Sequence, residues 1–215
     1  MDVASSIPTG LAALLAYLSG SLPFSVWTLR VVARRDVREV GDGNPGATNA
    51  FRAGGAAVGV AVLLLDVSKG VLPVVVARDA LGVDGWALAL VAVLPVAGAA
   101  FSPFLGFRGG KALAVTLGTW IALTLWTIPL VAVVAIVAAT LLIEPDAWAV
   151  AAALAAMLVG VVLWVPDHAA IVTLLLQTGI LLWVQRSELG RAPRLRRGAE
   201  RHDGVHTRRV GPPGA

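Results

Sequence analysis

One short segment of this apolar chain is rich in residues that can bind an anion. Residues 36–52 read DVREVGDGNPGATNAFR, in which the glycines let the backbone turn sharply and come close to a ligand. Asparagine and threonine side chains supply hydrogen-bond donors, and Arg52 supplies a planar fork that suits phosphate or carboxylate. A plain surface loop is the competing interpretation. The segment predicts a site composed of Asp42, Gly43, Asn44, Gly46, Thr48, Asn49 and Arg52.

A second glycine-rich segment, GFRGGK at residues 106–111, directly precedes an apolar stretch that predicts a helix. A glycine turn that leads into a helix N-terminus and carries a lysine is suited to bind an anion. The spacing differs from that of the nucleotide-binding P-loop, and a connecting loop without a ligand is the alternative. We predict that Gly109, Gly110 and Lys111 share one phosphate site with the first segment.

Two charged residues, Asp66 and Lys69, fall within an apolar stretch where charge is costly. At a spacing of three residues they share one face of a helix, so they can pair with each other or bind a substrate. Ser21, in the sequence GSLPF, either faces the site or accompanies a simple kink at Pro23. All three of these polar residues are therefore candidates for substrate binding.

Composition places these segments in a membrane protein. Of the 215 residues, 58% are hydrophobic and 14% are charged, against about a quarter charged in soluble domains. The apolar runs are continuous rather than alternating, which predicts an all-α polytopic membrane helix bundle. The net charge of +4 lies mostly beside apolar runs, which indicates lipid headgroups rather than nucleic acid as its partner. The chain has no cysteine, and we expect no metal site.

The apolar runs predict seven transmembrane helices. Residues 112–143 are long for one crossing and short for two, but Pro129 favours a break. With two spans there, the basic loops and the tail share one side, so the positive-inside rule places the N-terminus outside and the C-terminus in the cytoplasm. We expect a membrane domain at 1–186 and a basic, disordered tail at 187–215. The predicted spans are 9–33, 55–78, 86–107, 112–125, 128–143, 147–165 and 168–185.

Four motifs follow one another in an order and spacing that are typical of one family. They read YLSGSLPF at 17–24, GNPGATN at 43–49 with Arg52 after it, LLDVSKG at 64–70, and FLGFRGGK at 104–111. On these motifs the chain resembles the bacterial acyl-phosphate:glycerol-3-phosphate acyltransferase family, known as PlsY. The resemblance covers over half of the chain.

The resemblance implies a seven-helix enzyme of the bacterial inner membrane, with its active site at the cytoplasmic face. It implies transfer of a fatty acyl group from acyl phosphate to glycerol 3-phosphate, which gives lysophosphatidic acid without metal, coenzyme A or another cofactor. Membrane lipids would surround it, and the oligomeric state stays open. The residues that would shape the phosphate site are Asn44, Gly46, Thr48, Asn49, Arg52, Gly109, Gly110 and Lys111. Those expected to act in catalysis are Asn44, Thr48, Asn49 and Lys111.

The chain departs from the family pattern at several polar positions. Asp42 replaces a serine, which adds a repulsive carboxylate beside the expected phosphate, and Ala99 replaces a histidine. Ala112 replaces the glycine after the lysine, and the family's later serine motif is not evident around 145–150. The family's final histidine and asparagine are also absent, because the chain reads QRSELG at 185–190. One alternative is an inactive relative that binds phosphorylated lipid precursors, and another is a small transporter.

Overall fold

The computed structural model describes residues 3–196, with side chains from Ile7 onward, and this part is nearly all helical. Two π-helical turns, Leu29–Ala33 and Val76–Ala80, and two 3-10 turns, Val37–Glu39 and Pro103–Leu105, supplement the α-helices. Two short strands, β1 Ile143–Glu144 and β2 Arg194–Leu195, pair antiparallel. The α-helices are α1 Val3–Ser21, α2 Phe24–Thr28, α3 Ala47–Val75, α4 Gly85–Ala100, α5 Leu113–Thr124, α6 Thr127–Leu142, α7 Asp146–Trp164, α8 His168–Val184 and α9 Arg186–Leu189.

Apolar helices occupy each of the seven predicted spans, so the predicted all-α bundle is confirmed. Helices α5, α6 and α8 are apolar but only 10–17 residues long. Large aliphatic side chains such as Leu141 and Val159 are exposed, as expected for a surface that contacts lipid. The number of crossings and the orientation of the termini stay predictions. The four segments that are long and apolar enough to cross a membrane are Ile7–Ala33, Ala47–Ala80, Gly85–Leu105 and Asp146–Trp164.

The predicted break inside residues 112–143 is confirmed. Helix α5 ends where Leu125 adopts a positive φ of 54°, and α6 begins two residues later at Thr127. Pro129 lies in the first turn of α6, where its missing N–H costs no helical hydrogen bond. The proline therefore belongs to the start of a second helix rather than to a kink within one.

A buried ion pair braces the break between α1 and α2. Lys69 Nζ lies 2.9 Å from Asp66 Oδ1 and donates a hydrogen bond to the Leu22 carbonyl at 2.8 Å. That carbonyl lies beside Pro23, where the regular helix is interrupted. Asp66 and Lys69 therefore pair with each other, and Lys69 also bonds to the backbone. Of the two roles that the sequence allowed, this is the structural one rather than substrate binding.

Glycines set the distance between the long helices that carry the site. Helix α3 packs on α5, and α1 packs on α4. A side chain at Gly70 of α3 would collide with the Val115 carbonyl of α5, and one at Gly98 of α4 would collide with the Tyr17 carbonyl of α1. Small residues let helix backbones approach closely in membranes. The two glycine-rich segments therefore lead into helices, α3 and α5, that are packed against each other.

The C-terminal segment folds back onto the turn between α6 and α7. In the strand pair, Arg194 lies opposite Glu144. Arg196 forms ion pairs with Glu144 at 3.1 Å and with Asp146 at 2.9 Å. Residues 187–196 of the expected tail are therefore ordered here, because of long-range pairing that composition does not reveal. The rest of the predicted tail, 197–215, lies outside the described residues.

Candidate active site

Both glycine-rich segments line one cavity of about 1280 Å³. The cavity continues between α5, α6 and α7, where Leu117, Ile136 and Met157 contribute to apolar walls. Gly43 and Gly109 do not line it and instead shape the backbone behind the wall. The predicted site residues that line it are Ser21, Asp42, Asn44, Gly46, Thr48, Asn49, Arg52, Asp66, Lys69, Gly110 and Lys111.

Asn49 organises the first segment from a buried position. Its Nδ2 donates hydrogen bonds to Asp42 Oδ1 at 2.6 Å and to the Asn44 carbonyl at 3.0 Å. Its Oδ1 accepts a hydrogen bond from Arg52 Nη1 at 3.2 Å. Both polar atoms of the amide are therefore engaged, and the geometry gives Asn49 the role of positioning Arg52.

Thr48 and Arg52 lie on a helix, although the predicted span begins only at residue 55. Helix α3 begins at Ala47, and a kink at Gly55, with a φ of 78°, separates its first turns from the apolar part. The predicted span at 55–78 therefore matches only the part after the kink. Residues four apart on a helix are neighbours on one face, and Thr48 and Arg52 both line the cavity.

The second segment folds back onto α4 through its glycine amides. The N–H groups of Gly109 and Gly110 donate to the carbonyls of Ala100 and Ala99, both at 3.0 Å. A side chain at Gly110 would collide with the carbonyl of Pro45, so this glycine lets the two segments touch. Because both amides are used internally, Lys111, the cation of this segment that lines the cavity, is the group that can bind an anion there.

Lys111 lies between two carboxylates from different parts of the chain. Its Nζ is 2.7 Å from Glu188 Oε1 and 3.4 Å from Asp42 Oδ2. Burial lowers the pKa of Lys111, but the hydrogen bond and charge of Glu188, together with Asp42, outweigh burial and raise that pKa above its usual value. Lys111 is therefore charged at neutral pH, and a bound anion must compete with both carboxylates.

Asp42, the carboxylate that departs from the family pattern, connects the two segments. Burial by itself would raise the pKa of Asp42, but hydrogen bonds from the Asn49 amide and the Asn44 N–H, with the Lys111 charge, lower it below its usual value. The charge of Asp42 is thus balanced within the protein. The negative charge of Asp42 nevertheless weakens the attraction between Lys111 and a bound anion.

The remaining predicted residues on the wall already have protein partners. Ser21 Oγ donates to the Tyr17 carbonyl at 2.7 Å, and the Ser21 carbonyl accepts from Ser102 Oγ at 2.6 Å. Asp66 and Lys69 form the buried pair described above. These groups hold the helices that border the cavity.

Sequence reasoning missed Gln185, which directly follows α8 and is almost fully buried on the cavity wall. Its Nε2 donates to the Leu181 carbonyl at 3.3 Å, while its Oε1 has no hydrogen-bond partner among the described residues. Glu188, the partner of Lys111, comes three residues later. The signal that could have indicated Gln185 was its position, with Glu188, directly after the apolar helix α8.

The fold and the cavity define a helical membrane protein whose cavity combines cationic and apolar walls. Arg52 and Lys111 lie on the same cavity as the apolar walls of α5, α6 and α7. A phosphate group suits the cationic part, and a hydrocarbon chain suits the apolar part.

The chain belongs to the glycerol-3-phosphate acyltransferase family, whose sequence model matches residues 10–194. It is 38% identical over 195 residues to the glycerol-3-phosphate acyltransferase of Thermus thermophilus, a match that covers 89% of this chain and 93% of that relative. It is 48% identical over 126 residues to the protein of the same name from Anaeromyxobacter dehalogenans. That second match covers 55% of this chain and 62% of the relative.

The fold is similar to that of PlsY (YgiH), an integral membrane glycerol 3-phosphate acyltransferase. Its crystal structures in the glycerol 3-phosphate form and the lysophosphatidic acid form match with TM-scores of 0.75 and 0.76. The sequence identities are 28% and 26%, and each match covers 85% of this chain and 90% of that chain. The predicted family and the polytopic membrane fold are both confirmed.

Proposed function

We propose that this protein transfers a fatty acyl group from acyl phosphate to glycerol 3-phosphate, giving lysophosphatidic acid and inorganic phosphate. The observation that carries the proposal is that Arg52 and Lys111, from two separate segments, both line one cavity with apolar walls. Relatives named glycerol-3-phosphate acyltransferase and the two ligand forms of PlsY support this acceptor and this product. The proposed reaction uses no cofactor.

The proposed reaction depends on positioning and charge stabilisation, because an acyl phosphate is already activated. The acceptor's hydroxyl oxygen bonds to the acyl carbon, and the bond from that carbon to the phosphate oxygen breaks. Its electron pair leaves on inorganic phosphate, and a phosphate oxygen takes the hydroxyl proton, so no side chain has to act as the base. Arg52 and Lys111 hold the phosphate of the acceptor, and Lys111, with Asn44 and Thr48 on the same cavity wall, stabilises the negative charge that develops in the transition state.

We place the protein in the bacterial inner membrane, with the cavity at the cytoplasmic face. The support is the distribution of charge, since the basic residues near Arg52, near Lys111 and in the C-terminal segment share one side under seven crossings. A phosphorylated acceptor made in the cytoplasm would then reach the cavity without crossing the membrane.

A second candidate function is that of an inactive relative which binds phosphorylated lipid precursors. The specific observation in its favour is that Lys111 is paired with two carboxylates. Ala99 also stands on the wall where the family pattern has a histidine. Turnover measurements separate the two candidates.

The test is an assay of the purified protein in neutral-lipid nanodiscs with acyl phosphate and labelled glycerol 3-phosphate. Arg52→Ala should lower kcat/KM for the acceptor by about 10- to 100-fold, since a charge-assisted hydrogen bond is worth about 1.5–3 kcal/mol. Arg186→Ala is the matched control, because that exposed arginine stacks on Trp183 at 4.6 Å and does not line the cavity.

Product from acyl coenzyme A but not from acyl phosphate would contradict the proposed donor. No product with either donor, together with saturable binding of glycerol 3-phosphate, would favour the inactive relative. Equal activity of the Arg52→Ala variant and the wild type would contradict the assigned site.

A further inference from the structure

We infer that the cavity has a second anion site, formed by Arg191 and Arg194, that binds the phosphate of the acyl donor. The inference rests on the proposed function, because transfer between two phosphorylated substrates requires places for two anions. Arg52 and Lys111 provide the first place, for the acceptor.

The cationic residues on the cavity wall fall into two groups, those with a carboxylate partner among the described residues and those without one. Six cationic residues line the cavity in the part of the chain that the structure describes. Half of them have carboxylate partners: Lys69 pairs with Asp66, Lys111 with Asp42 and Glu188, and Arg196 with Glu144 and Asp146. The cavity-lining cations that have no carboxylate partner among residues 7–196 are Arg52, Arg191 and Arg194.

The free cations occupy two separate parts of the chain. Arg52 lies on the first turns of α3 and forms part of the acceptor site. Arg191 and Arg194 follow α9, where the carbonyl of Arg191 accepts a hydrogen bond from Trp148 Nε1 at 2.8 Å and Arg194 belongs to β2. Arg196 already pairs with both acidic residues of the adjacent α6–α7 turn. An anion beside Arg191 and Arg194 would contact two exposed guanidinium groups. The two carboxylates of the turn, which are paired with Arg196, would repel it less.

One face of α6 connects this pair of arginines to the apolar part of the cavity. Ala132, Ile136 and Thr140 line the cavity at intervals of four residues along α6, which ends at Leu142, two residues before Glu144, the residue opposite Arg194 in the strand pair. At about 1.5 Å per residue, the helical stretch from Ala132 to Thr140 spans about 12 Å. A molecule with its phosphate on the arginines can therefore lay a hydrocarbon chain along this face. The acyl donor has both groups, whereas glycerol 3-phosphate has no chain.

The kinetic test compares the double variant Arg191→Ala/Arg194→Ala with Arg186→Ala in neutral-lipid nanodiscs. We expect the KM for acyl phosphate to rise by about ten-fold or more in the double variant, because two charge-assisted contacts are lost. The KM for glycerol 3-phosphate should change less than about two-fold. A rise in the acceptor KM instead, or no change in either, would overturn the inference. Arg191→Lys/Arg194→Lys keeps the charges and should recover part of the donor affinity.

A binding measurement tests the inference independently of turnover. A long-chain alkyl phosphonate, which cannot transfer an acyl group, should bind the wild type and Arg52→Ala alike but bind the double alanine variant about ten-fold more weakly. If the wild type makes no product, the proposed function fails while this comparison still decides the site. A defect that appears only in nanodiscs with anionic phospholipid would assign the arginines to lipid headgroups and overturn their role with the donor. Equal phosphonate binding by all variants would also overturn it.

Discussion

At the scale of single residues, affinity for the acceptor is governed by a competition around Lys111. Glu188 and Asp42 hold its ammonium group, at 2.7 Å and 3.4 Å. A phosphate that binds Lys111 must share it with these carboxylates or displace one of them. Arg52 is engaged by a neutral amide, so it offers its charge to an anion without such a competitor.

Replacing Glu188 with glutamine should lower the KM for glycerol 3-phosphate by about five-fold. The amide keeps the size of the side chain and removes one negative charge near the phosphate, a repulsion of about 1 kcal/mol at about 4 Å even in water. Steady-state kinetics measure the change, with Ser187→Ala, an exposed neighbour, as the control. A higher KM for Glu188→Gln would instead assign Glu188 to holding the acceptor.

At the scale of structural elements, two contacts assemble the cavity. Gly110 allows the second segment to touch the first at Pro45, and Lys69 of α3 braces the break between α1 and α2 at Leu22. Both contacts join parts of the chain that are far apart in sequence. Each can be broken without altering Arg52 or Lys111.

Gly110→Ala should reduce kcat/KM by about 100-fold, because the added methyl group would overlap the Pro45 carbonyl and push the segments apart. A displacement of about 1 Å in a positioning element commonly costs that much. The assay described above measures the loss. The control is Gly179→Ala in α8, where an added methyl group meets no atom within 4 Å. That variant should keep its activity and gain up to about 1 kcal/mol of stability. Wild-type kinetics in Gly110→Ala would show that the segments need not touch.

Lys69→Met should destabilise the protein by about 3–5 kcal/mol, because it leaves Asp66 buried without a counter-charge. The double variant Asp66→Asn/Lys69→Met should be more stable than Lys69→Met alone, since it removes the unpaired charge as well. Unfolding titrations in detergent measure both differences. If Lys69→Met kept the wild-type stability but lost activity, the structural role would be contradicted and Asp66 and Lys69 would be assigned to substrate binding.

At the scale of the whole molecule, the basic segments and the cavity depend on one orientation in the membrane. The chain has no cysteine, so single cysteines can report the side on which each loop lies. Asp84→Cys, between α3 and α4, should react with a membrane-impermeant thiol reagent on intact cells. Arg108→Cys and Ser187→Cys should react only after permeabilisation. The opposite labelling pattern would place the cavity outside the cell.

Much of the architecture could be predicted because its signals are local. Continuous apolar runs predict the helices, and Pro129 indicates the break between the fourth and fifth predicted spans. The onset of α3 at Ala47 and the ordered β2 strand could not be predicted, since the strand depends on its pairing with β1. Ala112 was noted as a departure from a family glycine, and the structure gives it a φ of 58°, a conformation that glycine adopts at less cost.

The sequence by itself determined the membrane class, the set of helices, the family and the two cation-bearing segments. These follow from hydrophobicity, backbone restriction and residue spacing, which act over a few residues. Only the tertiary structure decided that the glycine amides are used internally, that Lys111 is shared by Asp42 and Glu188, and which arginines of the cavity lack a carboxylate partner among the described residues. Those facts depend on distances between residues far apart in the chain, and charge interactions are set by such distances and by burial.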